Sequence, residues 1–209
     1  VRHQGKEVLL VWGAEQLTMH DSSNGEIVWS CGNFNPEAIA MWPAIAQPVL
    51  IDSMAVISFG RNDRGIPRLY GVRTDGSGDV TKSNHVWLRD DISSFVPSPA
   101  AYDGHVYLVR DRGQVECVHP KTGDSVWSDA FPKSRSNYYA SPLIAGGILY
   151  APREDGVVMV ASVSDDKFKF LSENDIGEKV IGSPVPTENR ILIRGVNNLY
   201  CFAAPKTVQ

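Results

Sequence analysis

Hydrophobic residues along this chain come in short runs of about four to six, which often alternate with polar positions. Such runs are typical of β-strands in a sheet. The stretch from Ser98 to Trp127 predicts four strands, here called A, B, C and D, at residues 100–101, 106–109, 114–118 and 125–128. Asp103-Gly104 between strands A and B is a strong hairpin signal, because glycine accepts a positive φ. No window longer than ten residues keeps a helical periodicity, so the chain is predicted to be all-β.

The same four-strand unit recurs along the chain. Ser98-Pro99 returns as Ser141-Pro142, at an offset of 43 residues, and again as Ser183-Pro184. One four-stranded sheet cannot bury both of its faces, whereas sheets that stack radially cover each other. The repeat therefore predicts a single β-propeller domain over residues 1–209, with blades of four antiparallel strands. Five full or partial copies are recognised, over residues 6–32, 45–90, 96–132, 139–175 and 180–205.

The five copies do not complete a ring. The first copy has no predicted strand A before Val8, and the last has no strand D after Phe202. Propellers often close by pairing strands from the two chain ends in one blade, and these ends do not complement each other. We therefore expect the C-terminal part of a larger propeller, of seven or eight blades, whose other blades lie outside this chain.

A glycine and a tryptophan recur at the turn from strand C to strand D. Asn24-Gly25 precedes Trp29, and Thr122-Gly123 precedes Trp127. This pattern resembles the tryptophan-docking motif of quinoprotein-type propellers, the PQQ-like repeat family, and the resemblance covers about residues 6–205. The alternative WD repeat ends in a Trp-Asp pair, which does not occur in this sequence.

The motif also has a physical meaning. Its glycines permit tight C–D turns, and its tryptophans offer large flat apolar surfaces that we expect to wedge between neighbouring blades. The fourth copy has Phe170 in place of the tryptophan and Asp-Lys in place of the turn glycine, so that blade is expected to be docked less firmly. The residues assigned this structural role are Gly25, Gly123, Trp29, Trp87 and Trp127.

Composition and charge narrow the functional classes. The net charge of −4 argues against a generally basic nucleic-acid binder, and no apolar run approaches the roughly 18 residues of a membrane span. The three cysteines include no C-x-x-C pair, which excludes a dense disulfide framework and the familiar zinc-finger spacings. Cys117 and Cys201 fall at matching strand C positions and are expected to be core thiols, and Cys31 is expected to be structural as well.

The resemblance implies two kinds of function. The family includes PQQ-dependent alcohol dehydrogenases and also non-enzymatic scaffolds, such as a lipoprotein of the bacterial outer-membrane assembly machinery, and it favours a periplasmic or other extracytoplasmic location. For a dehydrogenase it implies a calcium ion held by Glu, Asn and Asp, an Asp base and usually two adjacent cysteines. This sequence has no Cys-Cys pair, D-x-D-x-D-G loop or G-x-S-x-G elbow. We therefore expect neither PQQ nor calcium, and no catalytic or metal-ligating residue.

One pattern points to a binding surface. The B–C and D–A loops of an antiparallel blade lie at the same end of the sheet. Arginine offers bidentate contacts to carboxylate or phosphate, and aromatic rings act as anchors. Alternatively, each arginine pairs with a neighbouring acid and fixes its loop. Arginines recur at matching or nearly matching places in four B–C loops, namely Arg61, Arg110, Arg153 and Arg194. The D–A loops add Arg135, Tyr138, Tyr139, Phe34 and Trp42.

These observations favour a non-catalytic binding or scaffold propeller with a protein as partner. The acidic neighbours of the arginines suit a mixed-charge rim better than an anion-binding funnel. Two alternatives stay open: a segment of a PQQ-dependent quinoprotein oxidoreductase whose cofactor ligands lie outside this chain, and a propeller that binds a carbohydrate or another small ligand through the aromatic D–A loops. A Cys-Cys pair and calcium-ligating acids upstream would identify the first alternative.

Overall fold

The computed structural model describes residues 2–13, 15–39, 44–61 and 66–203. Over these residues the chain forms twenty strands, β1 to β20, and one short helix, α1. Apart from β8, which joins the first sheet, the strands assemble in chain order into five sheets, one for each copy of the repeat. The predicted all-β propeller architecture is confirmed, and each sheet is one blade. Within the described ranges, no helix is long and apolar enough to cross a membrane.

Blade 1 consists of β1 (Arg2–His3), β2 (Lys6–Gly13), β3 (Gln16–Asp21) and β4 (Ile27–Cys31). Blade 2 consists of β5 (Val49–Ile51), β6 (Met54–Arg61), β7 (Ile66–Arg73) and β9 (His85–Arg89), with β8 (Gly78–Asp79) and α1 (Thr81–Asn84) inserted before β9. Blade 3 consists of β10 (Ala100–Tyr102), β11 (His105–Val109), β12 (Gln114–Val118) and β13 (Ser125–Ala130). Blade 4 consists of β14 (Leu143–Ala145), β15 (Ile148–Pro152), β16 (Val157–Val163) and β17 (Phe168–Asp175). Blade 5 consists of β18 (Val185–Thr187), β19 (Arg190–Arg194) and β20 (Leu199–Ala203).

The first blade has a strand A that sequence reasoning missed. β1 pairs antiparallel with the start of β2. The turn between them is Gln4-Gly5, with φ of 49° and 81°, which matches the two-residue turn at Asp103-Gly104, with 45° and 76°. The expectation that the first copy lacks strand A was wrong, because Gln-Gly is a weak turn signal and the strand has only two residues.

Each inner blade packs one face on the blade before it and the other on the blade after it, because side chains alternate along a strand. In blade 3, Val106, Leu108 and Val118 pack against blade 2. Tyr107 and Cys117, which point the other way, pack against blade 4. Strands B and C are therefore apolar on both faces, and the core consists of the successive interfaces between blades.

The three motif tryptophans join successive blades. Each lies on strand D and donates its indole N–H to a backbone carbonyl in the C–D connection of the next blade. The acceptors are Thr74 for Trp29 (3.2 Å), Pro120 for Trp87 (2.9 Å) and Ser164 for Trp127 (2.9 Å). Gly123 is needed for more than its turn, because a Cβ there would lie 2.7 Å from the Trp87 ring. The indoles thus lie as wedges between the blades.

Blade 4 departs from this pattern in a way the sequence did not indicate. A β-bulge interrupts the C–D pairing in each of blades 1 to 4, and the extra residue on strand D changes which face its neighbours occupy. Trp127 pairs with Cys117 beside the bulge, and the residue at that register in blade 4 is Ser172. Phe170 lies on the other side of the bulge and contacts blade 3, with its ring centroid 6.3 Å from that of Phe131. The assignment of Phe170 to the tryptophan position was therefore wrong by two residues.

The extra residues of the second copy reach back to blade 1. β8 pairs in parallel with β4, and Val80 N donates to Ser30 O (2.9 Å). The buried Asn84 holds this connection, since its Nδ2 donates to the carbonyls of Arg73 (3.0 Å) and Asp75 (2.7 Å). The insertion covers the outer edge of blade 1, where backbone groups would otherwise lack strand partners.

The serines of the repeated Ser-Pro pairs link the innermost strands. Ser141 Oγ accepts a hydrogen bond from Ser98 N, and Ser183 Oγ accepts one from Ser141 N, both at 2.9 Å. Ser98 Oγ accepts from Gln47 N at 2.8 Å. In the sequence these serines appear only as a recurring Ser-Pro pair, whereas in the structure each hydroxyl bridges to the blade before its own.

Two of the cysteines are buried and Cys201 is exposed. Cys31 and Cys117 lie in the core, where burial raises the pKa of each thiol to about 11. The expectation of a core thiol at Cys201 was wrong. Among the described residues β20 is the outer strand of blade 5, so no strand D covers this side chain.

We expect one thiol of the native chain to react with Ellman's reagent, and all three to react in guanidinium. The two core thiols are shielded and protonated at neutral pH, and the thiolate is the reacting species. The Cys201→Ser variant is the control, since it should abolish the native reaction. Rapid reaction of a second thiol in the native chain would contradict the burial of Cys31 and Cys117.

Candidate binding surface

The D–A and B–C loops lie on the same side of the blades and bond to each other through their backbones. In the loop between blades 3 and 4, Tyr138 N donates to Asp111 O at 3.0 Å. The same loop reaches the next blade, where Glu154 N donates to Asn137 O at 2.9 Å. This D–A loop therefore ties the B–C loop of its own blade to that of the following blade.

The loop between blades 4 and 5 repeats the arrangement. Ile176 N donates to Gly156 O (3.1 Å), and Val196 N donates to Lys179 O (3.1 Å). Gly156 has a φ of +99°, and a Cβ there would lie 2.3 Å from the carbonyl oxygen of Glu178. Only glycine allows so close an approach between the two loops.

Two glutamates fasten these loops. Glu154 Oε1 accepts hydrogen bonds from the backbone N (2.8 Å) and Nδ2 (3.0 Å) of Asn137. Glu178 accepts from the backbone N of Asn197 (2.7 Å) and of Asn198 (3.1 Å). These bonds, that of Asn197 first, lower the pKa of Glu178 to about 2. An ionised acceptor bonds N–H groups strongly, so the loops are held in place at neutral pH.

Arg153 and Arg110 are paired with acids beneath this surface. Arg153 is 8% exposed, and its Nε donates to Asp155 Oδ1 at 2.9 Å. Arg110 Nη1 lies 3.5 Å from Oε1 of Glu116, which is 4% exposed. Burial raises the pKa of Glu116, although the hydrogen bond from Ser128 and the charge of Arg110 oppose this. Both arginines support the loops from within, which is the second of the two roles that the sequence left open.

Two of the aromatic candidates also lie inside. Tyr138 is buried with its ring stacked 5.9 Å from that of Phe131, and burial raises its pKa to about 12. Phe34 is buried between blades 1 and 2, 5.0 Å from the ring of Tyr70. The expectation that these rings are loop anchors for a partner does not hold, because other blades and loops already cover them.

Exposed cationic side chains remain on this side of the molecule. Arg135 and Arg194 are exposed, as is Arg112, whose Nη1 donates to Arg135 O at 2.9 Å. Tyr139 is half-buried, and its hydroxyl accepts from Asn137 Nδ2 at 3.2 Å. Sequence reasoning missed Arg112, although its place at the tip of a short B–C turn is the signal that could have found it. We define the loop surface as Arg112, Arg135, Arg194 and Tyr139.

Two further candidates are not placed by the structure. Trp42 lies outside the described residues, and of Arg61 only the backbone, as the last residue of β6, is described. Across the described ranges, no group of three or more His, Cys, Asp or Glu side chains could hold a metal ion.

Comparison with known proteins gives a family and several relatives. The PQQ_2 family model, described as outer membrane protein assembly factor BamB, matches residues 1–129. Tetrathionate hydrolase from Acidianus ambivalens is 23% identical in an alignment 168 residues long that covers 70% of this chain and 30% of that protein. The chain thus spans less than a third of this relative's length.

Two solved structures share the fold. Quinohemoprotein alcohol dehydrogenase from Comamonas testosteroni is 10% identical, with a TM-score of 0.66 over 94% of this chain and 40% of its own. BamB from Moraxella catarrhalis is 14% identical, with a TM-score of 0.50 over 93% of this chain and 68% of its own. At these identities the likeness is one of fold.

Proposed function

Because this chain belongs to the PQQ-like repeat family described as outer membrane protein assembly factor BamB, we propose that it is a non-catalytic binding scaffold whose partner is a protein. The observation that carries the proposal is the loop surface, where exposed arginines stand on loops fastened to each other by backbone and glutamate hydrogen bonds. The match of the family to an assembly factor supports a role in holding other proteins.

The loop surface is preformed. The contacts of Glu154 and Glu178 fix the D–A and B–C loops before any partner arrives, so binding need not order them at an entropic cost. Arginine and tyrosine are the residue types enriched where interfaces concentrate their binding energy. Arg112, Arg135 and Tyr139 offer these groups on one loop system.

Charge favours a protein over a nucleic acid as the partner. Asp129 and Asp175, at the ends of β13 and β17, are exposed where these strands enter the D–A loops. Exposed acidic residues therefore lie at the same end of the blades as the arginines, and the whole chain carries a net charge of −4. A rim of mixed sign complements a mixed protein surface, whereas a nucleic acid is bound by concentrated positive charge.

The proposal is tested by reversing two exposed charges of the loop surface, whose contribution to the loops is the exposed hydrogen bond from Arg112 Nη1 to Arg135 O. In the full chain, Arg112→Glu with Arg135→Glu should weaken partner binding at least tenfold and leave the melting temperature nearly unchanged, since both side chains are exposed. Arg110 and Arg153 are unsuitable for this test because their acidic partners are buried or half-buried. Cross-linked partners are identified from extracts of the source cells, and affinity is then measured with purified components.

The matched control reverses two lysines on the opposite side of the blades. Lys121 and Lys167 are exposed on the C–D turns of blades 3 and 4, so Lys121→Glu with Lys167→Glu makes the same change of net charge. This variant should bind as the unmodified chain does. Equal loss of binding in both double variants, or none in either, would overturn the proposed surface.

As a non-catalytic scaffold, this chain is also proposed neither to bind PQQ nor to oxidise alcohols with it. Addition of PQQ with calcium should shift the melting temperature by less than a degree and should support no dye-linked alcohol oxidation. A ligand at 100 times its dissociation constant stabilises by about 2.7 kcal/mol. A shift of several degrees at micromolar quinone would therefore favour the oxidoreductase alternative.

A further inference from the structure

The outer edge of β9 is an open sheet edge with apolar side chains. β9 is strand D of blade 2, and within the described residues it is the last strand of its sheet. The unpaired backbone groups of such an edge are a template for another strand, and proteins commonly protect them with charged side chains or cover them. Two apolar residues of β9, Val86 and Leu88, are 45% and 48% exposed. β9 therefore presents an apolar edge to solvent.

The other D strands of the described residues are protected. In blade 1, β4 is covered by β8, which pairs with it. β13 and β17 carry exposed charged residues, namely Asp129, Lys169, Glu173 and Asp175. The single charged residue of β9, Arg89, bonds to its own chain, since it donates to Asp91 Oδ2 (2.6 Å) and to Gly123 O (2.8 Å). The edge of β9 thus has neither kind of protection within the described ranges.

Blade 1 shows how an added strand lies on this edge. β8 pairs in parallel with the outer edge of β4, and Ser30 O accepts a hydrogen bond from Val80 N at 2.9 Å. Leu88 holds the place of Ser30 in blade 2, because each follows the tryptophan at the bulge in the C–D pairing. The backbone carbonyl of Leu88 therefore points to the open edge, as that of Ser30 points to β8.

We propose that the outer edge of β9 binds an extended segment of a partner protein as an added parallel strand. Binding of this kind gains affinity from main-chain hydrogen bonds and specificity from the neighbouring side chains. The side chains of the segment that lie beside Val86 and Leu88 should be apolar and β-branched, because such residues pack well on a sheet. A parallel segment ends beside Asp90, which follows β9 and is exposed, so a basic residue should follow the apolar ones.

The test uses the full chain and a synthetic peptide in which valine alternates with threonine and lysine follows. The peptide should shift the amide NMR signals of β9, and Leu88→Lys, which puts a charge on the edge, should weaken binding at least tenfold. The same peptide with glutamate in place of lysine should bind about threefold more weakly, because a like charge beside Asp90 is unfavourable. A nitroxide at the amino end of the peptide should broaden the signal of His85, and one at the carboxyl end that of Asp90, because the strands are parallel.

Two matched variants separate the edge of β9 from apolar exposure in general. Val86 and Leu171 each precede the tryptophan register of their blade, and each is 45% exposed. Val86→Lys should weaken peptide binding at least tenfold, and Leu171→Lys, on the edge of β17, should change it less than twofold. Val86→Lys also replaces Leu88→Lys in the test if the latter fails to fold.

Five results would overturn the proposal. They are absence of peptide binding to the unmodified chain, binding that survives a folded β9 variant, equal affinity for the lysine and glutamate peptides, nitroxide broadening in the reverse order, and a dimer of the unmodified chain that Leu88→Lys dissociates. The last would mean that the edge takes a second copy of this chain. None of these results bears on the loop surface, because the two sites share no residue.

Discussion

Replacing Trp127 with alanine is expected to lower the free energy of unfolding by about 3 kcal/mol or more. The indole fills the interface between blades 3 and 4, with its centroid 5.9 Å from that of Tyr107 and 6.0 Å from that of Phe168. Its N–H also bonds to Ser164 O, 2.9 Å away. The variant loses this packing, opens a cavity and leaves the carbonyl unpaired. Urea melts followed by circular dichroism measure the loss.

The matched control is Phe170→Ala, which removes an aromatic side chain from the neighbouring strand D. Phe170 is 37% exposed, so less apolar surface returns to water, and we expect a loss less than half that of Trp127→Ala. Equal losses, or a larger loss for Phe170→Ala, would contradict the role of the indole as the wedge between blades.

Reversing the charge at Arg153 is expected to cost about 3 kcal/mol of stability, because the new carboxylate would be buried without a cation beside it. The side chain lies in the core of a B–C loop with Nε bonded to Asp155, and a glutamate there would oppose that carboxylate with no cation between them. Loss of this contact should also loosen the D–A loop that bonds to the same turn through Glu154. Denaturant melts and amide hydrogen exchange of residues 137–139 measure the two effects.

The control is the same substitution at Arg194, the nearly matching place in blade 5. Arg194 is exposed, and its Nη2 donates a long hydrogen bond of 3.5 Å to the carbonyl oxygen of Val196. Arg194→Glu should therefore change the free energy of unfolding by about 0.5 kcal/mol or less. Similar losses at the two positions would mean that Arg153 is not a supporting residue of its loop.

The loop arginines show why repeat position is an incomplete guide to function. Arg110 and Arg153 occupy the same position in two blades, and both turn inward to acids. Arg112 has no matching arginine in the next blade, yet it is the one at the exposed tip. Repetition in a propeller mainly reports the contacts that every blade must make, because the blades are built alike. A surface for a partner need not repeat.

The face of blade 4 on which each strand D residue lies depends on a register that the spacing of residues conceals. Counting along the repeat places Phe170 at the tryptophan position, but the β-bulge shifts the pairing so that Ser172 takes that place. The bulge recurs in blades 1 to 4, and of these four only the bulge of blade 2 has a glycine, Gly71, at the shift in pairing. Only the pairing of β16 with β17 tells which of the two residues faces blade 5.

The strands, the turns and the repeat of this protein were determined by local sequence. Alternation of apolar and polar residues and glycines with positive φ act within a few neighbouring residues. The repeat is visible because similar residues recur at an offset of 43. The tertiary structure determined the burial and the hydrogen bonding of side chains that contact other blades. It placed Arg153 and Tyr138 inside, left Cys201 exposed, bonded each Ser-Pro serine to the preceding blade and paired Ser172 rather than Phe170 with Val160. Burial and pairing of a side chain are set by residues about 40 positions away, and the pattern of one strand carries no information about them.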